Sequence, residues 1–147
     1  MLLLGVKNTT PQDVIVDGLI NIGSSYRRYC KKNKCGVPAF ARTANDISLQ
    51  HSGIYHVTAT FIASAPAAGD VTVQLLVNGE TVEGALATET ITTATTEFRT
   101  MVIDYYLLVD RDCILGNEIT VAQTISFQNT GVAATFTNVV VNVSKEV

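Results

Sequence analysis

Charge is scarce in this chain of 147 residues. Only 16% of them are Asp, Glu, Lys or Arg, against roughly 25% in an average soluble domain, so much of the surface must be neutral, as subunit contacts are. Histidine is limited to His51 and His56, which leaves few groups for base catalysis near neutral pH. No G-x-S-x-G, G-x-x-x-x-G-K or H-E-x-x-H occurs, so elbow-type hydrolases, phosphate-loop enzymes and zinc peptidases find no footing. The apolar runs fall short of the ~20 residues that span a bilayer. The opening MLLLG lacks the basic flank, length and cleavage site of a secretory signal. Three cysteines, Cys30, Cys35 and Cys113, cannot all pair within one chain. Helical periodicity is also missing: no 3.6-residue pattern persists over ten residues.

What is abundant is β-branched. The chain has 18 Val and 19 Thr, residues that suit a pleated, half-buried strand better than a helix. DVIVDGLINI at residues 13–22 predicts two short strands about an Asp17-Gly18 turn. Beyond Val37, alternation with period two recurs in PAFART, DISLQ, residues 54–64 and VTVQLLV, and Asn78-Gly79 closes a hairpin. The Thr-rich ATETITTATTE predicts a polar edge strand and loop. FRTMVIDYYLLV, EITVAQTISFQ and ATFTNVVVNVS follow. About eight to ten short strands separated by turns predict an all-β fold, a jelly-roll β-sandwich. Residues 1–36 form an N-terminal arm with a hairpin and a basic loop; residues 37–147 form the sandwich.

The strand at residues 98–109 is unusual. One row reads Met101, Ile103, Tyr105, Leu107, Val109 and the other Phe98, Thr100, Val102, Asp104, Tyr106, Leu108. A sandwich strand buries one face against the opposite sheet, so a second apolar face needs a different cover. A three-fold contact over Val102, Tyr106 and Leu108 supplies it, and Tyr105 takes that role if the parity is reversed.

The run DISLQHSGIYHVTATF, then VTVQLLVNGETVEG, EITVAQTISFQNTG and TFTNVVVNVSKE resembles the trimeric jelly roll of the tumour-necrosis-factor and complement globular-head type, in the versions found in bacteriophage structural proteins and spore-surface collagen-like proteins. The resemblance covers about residues 37–144. It implies homotrimers, display on a particle surface and binding without catalysis or cofactor. It implies capsid or tail proteins as partners and a virion location after assembly in the host cytoplasm. The chain has no Gly-x-y collagen stalk.

YRRYCKKNKCG concentrates five of the ten Lys and Arg residues, Arg27, Arg28, Lys31, Lys32 and Lys34, so the remainder holds 13 acids against five bases. That remainder repels DNA, and no nucleic-acid signature surrounds Tyr26 or Tyr29. The basic run has three readings: a solvated loop, an anchoring contact with an acidic partner such as a capsid shell, or a site for an anionic glycan or nucleic acid. Cys30-x4-Cys35 with His51-x4-His56 approaches a zinc spacing. The histidines, however, flank a turn into a strand rather than sit on a helix, so no zinc is expected. Asp110 and Asp112 read as a solvated turn and Cys113 as a sheltered thiol. Catalytic, cofactor and metal residues are not assigned.

Overall fold

The computed structural model describes residues 2–29, 38–114, 117–120 and 122–146. Among the described residues thirteen strands make up the regular structure, and there is no helix. The strands are β1 (Leu2–Asn8), β2 (Gln12–Val14), β3 (Ser24–Tyr29), β4 (Phe40–Arg42), β5 (Asp46–Leu49), β6 (Gly53–Ser64) and β7 (Gly69–Val77). They continue with β8 (Glu80–Ile91), β9 (Arg99–Val109), β10 (Arg111–Ile114), β11 (Asn117–Thr120), β12 (Gln123–Asn129) and β13 (Ala134–Lys145). One sheet runs β3-β1-β13-β6-β9, with β2 also paired to β13; the other runs β4-β5-β12-β7-β8; β10 and β11 form a separate hairpin. All the pairs are antiparallel.

Strict alternation builds the core. Tyr55, Val57, Ala59, Phe61 and Ala63 of β6 are fully buried, as are Val139, Val141 and Val143 of β13, and the facing sheet contributes Ile47, Leu49, Val71, Val73, Leu75, Ile125 and Phe127. Aromatic edges lock the two layers together. Phe61 meets Phe127 and Phe136 in T-shaped pairs at 5.2 and 6.2 Å, and Phe40 meets Tyr55 at 5.9 Å, the arrangement that the ring quadrupole favours. The Asn78-Gly79 hairpin forms as expected: both residues take positive φ, 53° and 81°, and Val77 pairs with Glu80 across them.

Two expectations change. Asp17 adopts positive φ and Gly18 N–H donates to Ile15 C=O at 3.0 Å, but this turn does not join two strands of one hairpin. It passes the chain from β2 in the first sheet to Leu19, which bridges Gln128 of β12 in the second. The buried Asn129 fixes that crossing. Its backbone exchanges hydrogen bonds with Asp17 and Gly18, and its amide donates to Val14 C=O and Val132 C=O.

The second change concerns residues 1–36. The sequence places them outside the sandwich; the structure builds β1 between β3 and β13 and buries Leu4, Val6, Ile20 and Ile22 beneath it. The expected basic loop begins as a strand as well. Every residue of β3 is exposed, so it shows none of the apolar alternation by which strands are recognised, and backbone pairing with β1 holds it in place.

Candidate subunit interface

Register determines which side chains share the outward face of the first sheet. Tyr106 of β9 lies opposite His56 of β6, His56 opposite Ser144 of β13, Ser144 opposite Leu3 of β1, and Leu3 opposite Tyr29 of β3. The next outward row is Asp104, Thr58, Asn142, Gly5 and Arg27, and the one after it begins Val102, Thr60, Val140 and Lys7. The face is therefore a continuous grid five strands wide.

On β9 the parity is plain. Met101, Ile103 and Val109 are buried, and Leu107 packs against the core. Val102, Tyr106 and Leu108 point the other way and are 53%, 61% and 60% exposed. Tyr105 is half-buried against the core and so, contrary to its assignment as an interface residue, is not part of the outward face. It has the same parity as Ile103, and successive strand residues point to opposite faces.

Tyr106 does not stand alone. Its ring stacks on the His56 imidazole, centroids 4.4 Å apart and planes 8° from parallel. His56 Nε2–H donates to the Asp104 carboxylate, and the Glu146 carboxylate lies 3.8 Å from Nδ1. Asp104 is thereby engaged by His56 of its own chain. Alternation alone places His56 outward but says nothing of its partner strand, so the stack was invisible in the sequence. Across the face, the Tyr26 ring lies over Gly5, where a Cβ would come within 2.8 Å of it, and the Tyr26 hydroxyl donates to Asn142 Oδ1 at 2.5 Å. Lys7 Nζ sits 5.4 Å from the same ring centroid.

The outward face of the second sheet differs. Its hydroxyls and amides pair among themselves: Ser48 with Thr124 at 3.0 Å, Thr72 with Thr88 at 2.8 Å, Thr90 donating to Asp70 at 2.7 Å, Asn78 donating to Gln123 at 2.7 Å. Such a ladder suits water. A second apolar exposure is made by Ile15, Val16 and Leu19, and Ile15 lines a pocket of about 260 Å³ with Val14, Pro66 and Ala134.

Of the predicted anchoring residues, Arg27 and Arg28 lie exposed on β3, and Arg28 also donates to Phe40 C=O at 3.1 Å. Lys31, Lys32 and Lys34 lie outside the described residues, as do Cys30, Cys35 and the side chains of Asp112 and Cys113. His51 sits in the turn before β6. Among the described residues no group of three or more His, Cys, Asp or Glu is placed to hold a metal.

No family model matches the chain, and no curated protein matches it by sequence. Solved structures do match. An Eiger TNF from S. frugiperda superposes with a TM-score of 0.64 at 9% identity, covering 99% of this chain and 91% of that one. The globular domain of zebrafish complement 1qA gives 0.60 at 6% identity, covering 100% and 98%. The protein is a jelly-roll β-sandwich like these heads. Murine APRIL, at 0.60 and 8% identity over 97% and 98% of the two chains, shares the same jelly roll. At such identities the likeness is one of fold.

Proposed function

We propose that the protein is a non-enzymatic, homotrimeric jelly-roll head that serves as a structural protein on a phage particle surface, decorating the capsid or capping a fibre. The observation that carries the reading is the outward row of β9: a strand that fills the core with one face and holds Val102, Tyr106 and Leu108 more than half exposed on the other. Tyr106, Leu108 and the adjoining Ile54 form a contiguous apolar exposure at one end of the sheet face, the kind that marks a protein contact, and the self-satisfied polar ladder of the opposite sheet leaves that one to solvent. The particle role is supported by the sequence resemblance to phage structural proteins, and the lack of a catalytic constellation by the sequence motifs.

Light scattering of the purified chain at micromolar concentration is expected to give three times the chain mass of 15.7 kDa. The trimer is then expected to bind empty capsids or tails and to leave a glycan array blank. A monomer would overturn the assembly. Glycan binding without particle binding would overturn the decoration role in favour of a host-receptor knob.

A further inference from the structure

The two long sides of the sandwich have opposite charge. β3 and β4 lie together on one side, tied by Arg42 donating to Ser25 Oγ at 3.0 Å and to Gly23 C=O at 2.7 Å. With the adjoining β1 they contribute Lys7, Arg27, Arg28 and Arg42 and no acid. β8 and β9 close the other side. They contribute Glu80, Glu83, Glu89 and Asp104, and their one cation, Arg99, is held by Glu97 at 2.7 Å. Among the described residues neither Lys7 nor Arg27 has a carboxylate partner. Two copies meeting through like edges would oppose like charges; unlike edges attract and generate a head-to-tail ring.

The register makes this specific. Asp104 and Arg27 are the two ends of a single outward row, through Thr58, Asn142 and Gly5, and Tyr106 and Tyr29 are the ends of the next. With a three-fold axis placed along the strands, rotation preserves height, and the end of a row on one copy then meets the opposite end of the same row on its neighbour. We propose that the β9 edge of one copy docks on the β1–β3 side of the next, with Asp104 facing Arg27 and Tyr106 seated against Leu3 and Tyr29. The occupant of this basic side is a second copy of the chain, and Arg27 is an intersubunit residue rather than a particle anchor. The inference rests on the trimer reading and specifies its contact.

The experiment is charge reversal with rescue, read as mass against concentration by sedimentation, with circular dichroism as the check on folding. Arg27→Glu, at an exposed position, should weaken assembly by about tenfold or more and leave the fold intact. Asp104→Arg should do the same, and the double variant Arg27→Glu/Asp104→Arg should assemble within about threefold of the unaltered chain. If Asp104→Arg misfolds, salt replaces it: raising ionic strength should weaken the parent trimer, and the Arg27→Gln/Asp104→Asn trimer should be salt-insensitive, because exposed charges are screened within about 8 Å at physiological ionic strength. Single reversals that assemble like the parent, or a double variant no better than either single, overturn this contact while leaving the trimer standing. A parent chain that is monomeric overturns both.

Discussion

At the scale of single residues, two side chains away from the interface hold turns together by gathering backbone groups. Glu97 is one. Its carboxylate accepts from Thr93 N–H at 2.9 Å, Thr92 N–H at 2.6 Å, Arg99 at 2.7 Å and the Thr92 hydroxyl at 3.2 Å, bracing the Thr-rich turn between β8 and β9. The Thr93 and Thr92 amides, then Arg99, hold its pKa down to about 2 from 4.5. A carboxyl whose folded pKa is depressed stabilises the fold above its unfolded pKa and loses that contribution as pH falls through the folded one. Glu97→Gln should therefore melt below the parent at pH 7, and the two melting curves should converge as pH drops from 4.5 towards 2. A constant offset across that range would refute the assignment. Gln74 is the other. It is buried at a register shift between β7 and β8, where its amide donates to Leu75 C=O, Val82 C=O and Ala85 C=O at 2.8, 2.8 and 3.2 Å. Gln74→Leu keeps the volume and strands those acceptors, so urea unfolding should show a loss of roughly 1–3 kcal/mol. No change in midpoint would mean that water takes over the carbonyls.

Among elements, β1 decides whether the amino-terminal segment is an appendage. Removing residues 1–36 takes away the strand between β3 and β13 and uncovers the core where Leu4, Val6, Ile20 and Ile22 lie. At roughly 1.5–3 kcal/mol per buried aliphatic side chain, the loss is about 6–12 kcal/mol, comparable to the whole stability of about 5–15 kcal/mol of a typical domain. The fragment 37–147 should be insoluble or lack a cooperative thermal transition, and a soluble fragment that melts cooperatively would contradict the role given to β1. The long strands were legible in the sequence because β6 alternates through most of its length and β13 from Val139 to Val143, while β7 carries Val71, Val73 and Leu75 on one face. β3 was not, since a strand exposed along its whole length buries no alternate row of apolar side chains and so leaves no period-two mark. The role of the Asp17 turn was missed for a related reason: local chemistry dictates a reversal, but Asn129, more than a hundred residues away, determines which sheet receives the chain. Of the candidate interface, parity was readable and partners were not, because His56 and Tyr106 meet only through a register that both strands set together.

For the whole molecule, the alternation on β9 separates folding from assembly into neighbouring residues. Tyr105 and Tyr106 are chemically identical, adjacent and on the same strand, yet one packs on the core and the other is 61% exposed. Truncating Tyr105 removes packing that exists within one chain, so Tyr105→Ala should lower the unfolding midpoint at any protein concentration. Tyr106 contributes its ring to the His56 stack and otherwise to the outward face, so Tyr106→Ala should leave the isolated fold nearly unchanged and weaken assembly. A central aromatic at an interface commonly accounts for about 2 kcal/mol or more, which corresponds to roughly a thirtyfold rise in the dissociation constant. Thr93→Ala, in the exposed β8–β9 turn, is the control that should move neither quantity. Sedimentation across a concentration series, paired with thermal melts, reads both effects on the same samples. If Tyr106→Ala destabilised the monomer while leaving the assembled mass intact, the outward face of β9 would not be the contact, and the trimer would have to be built elsewhere on the molecule.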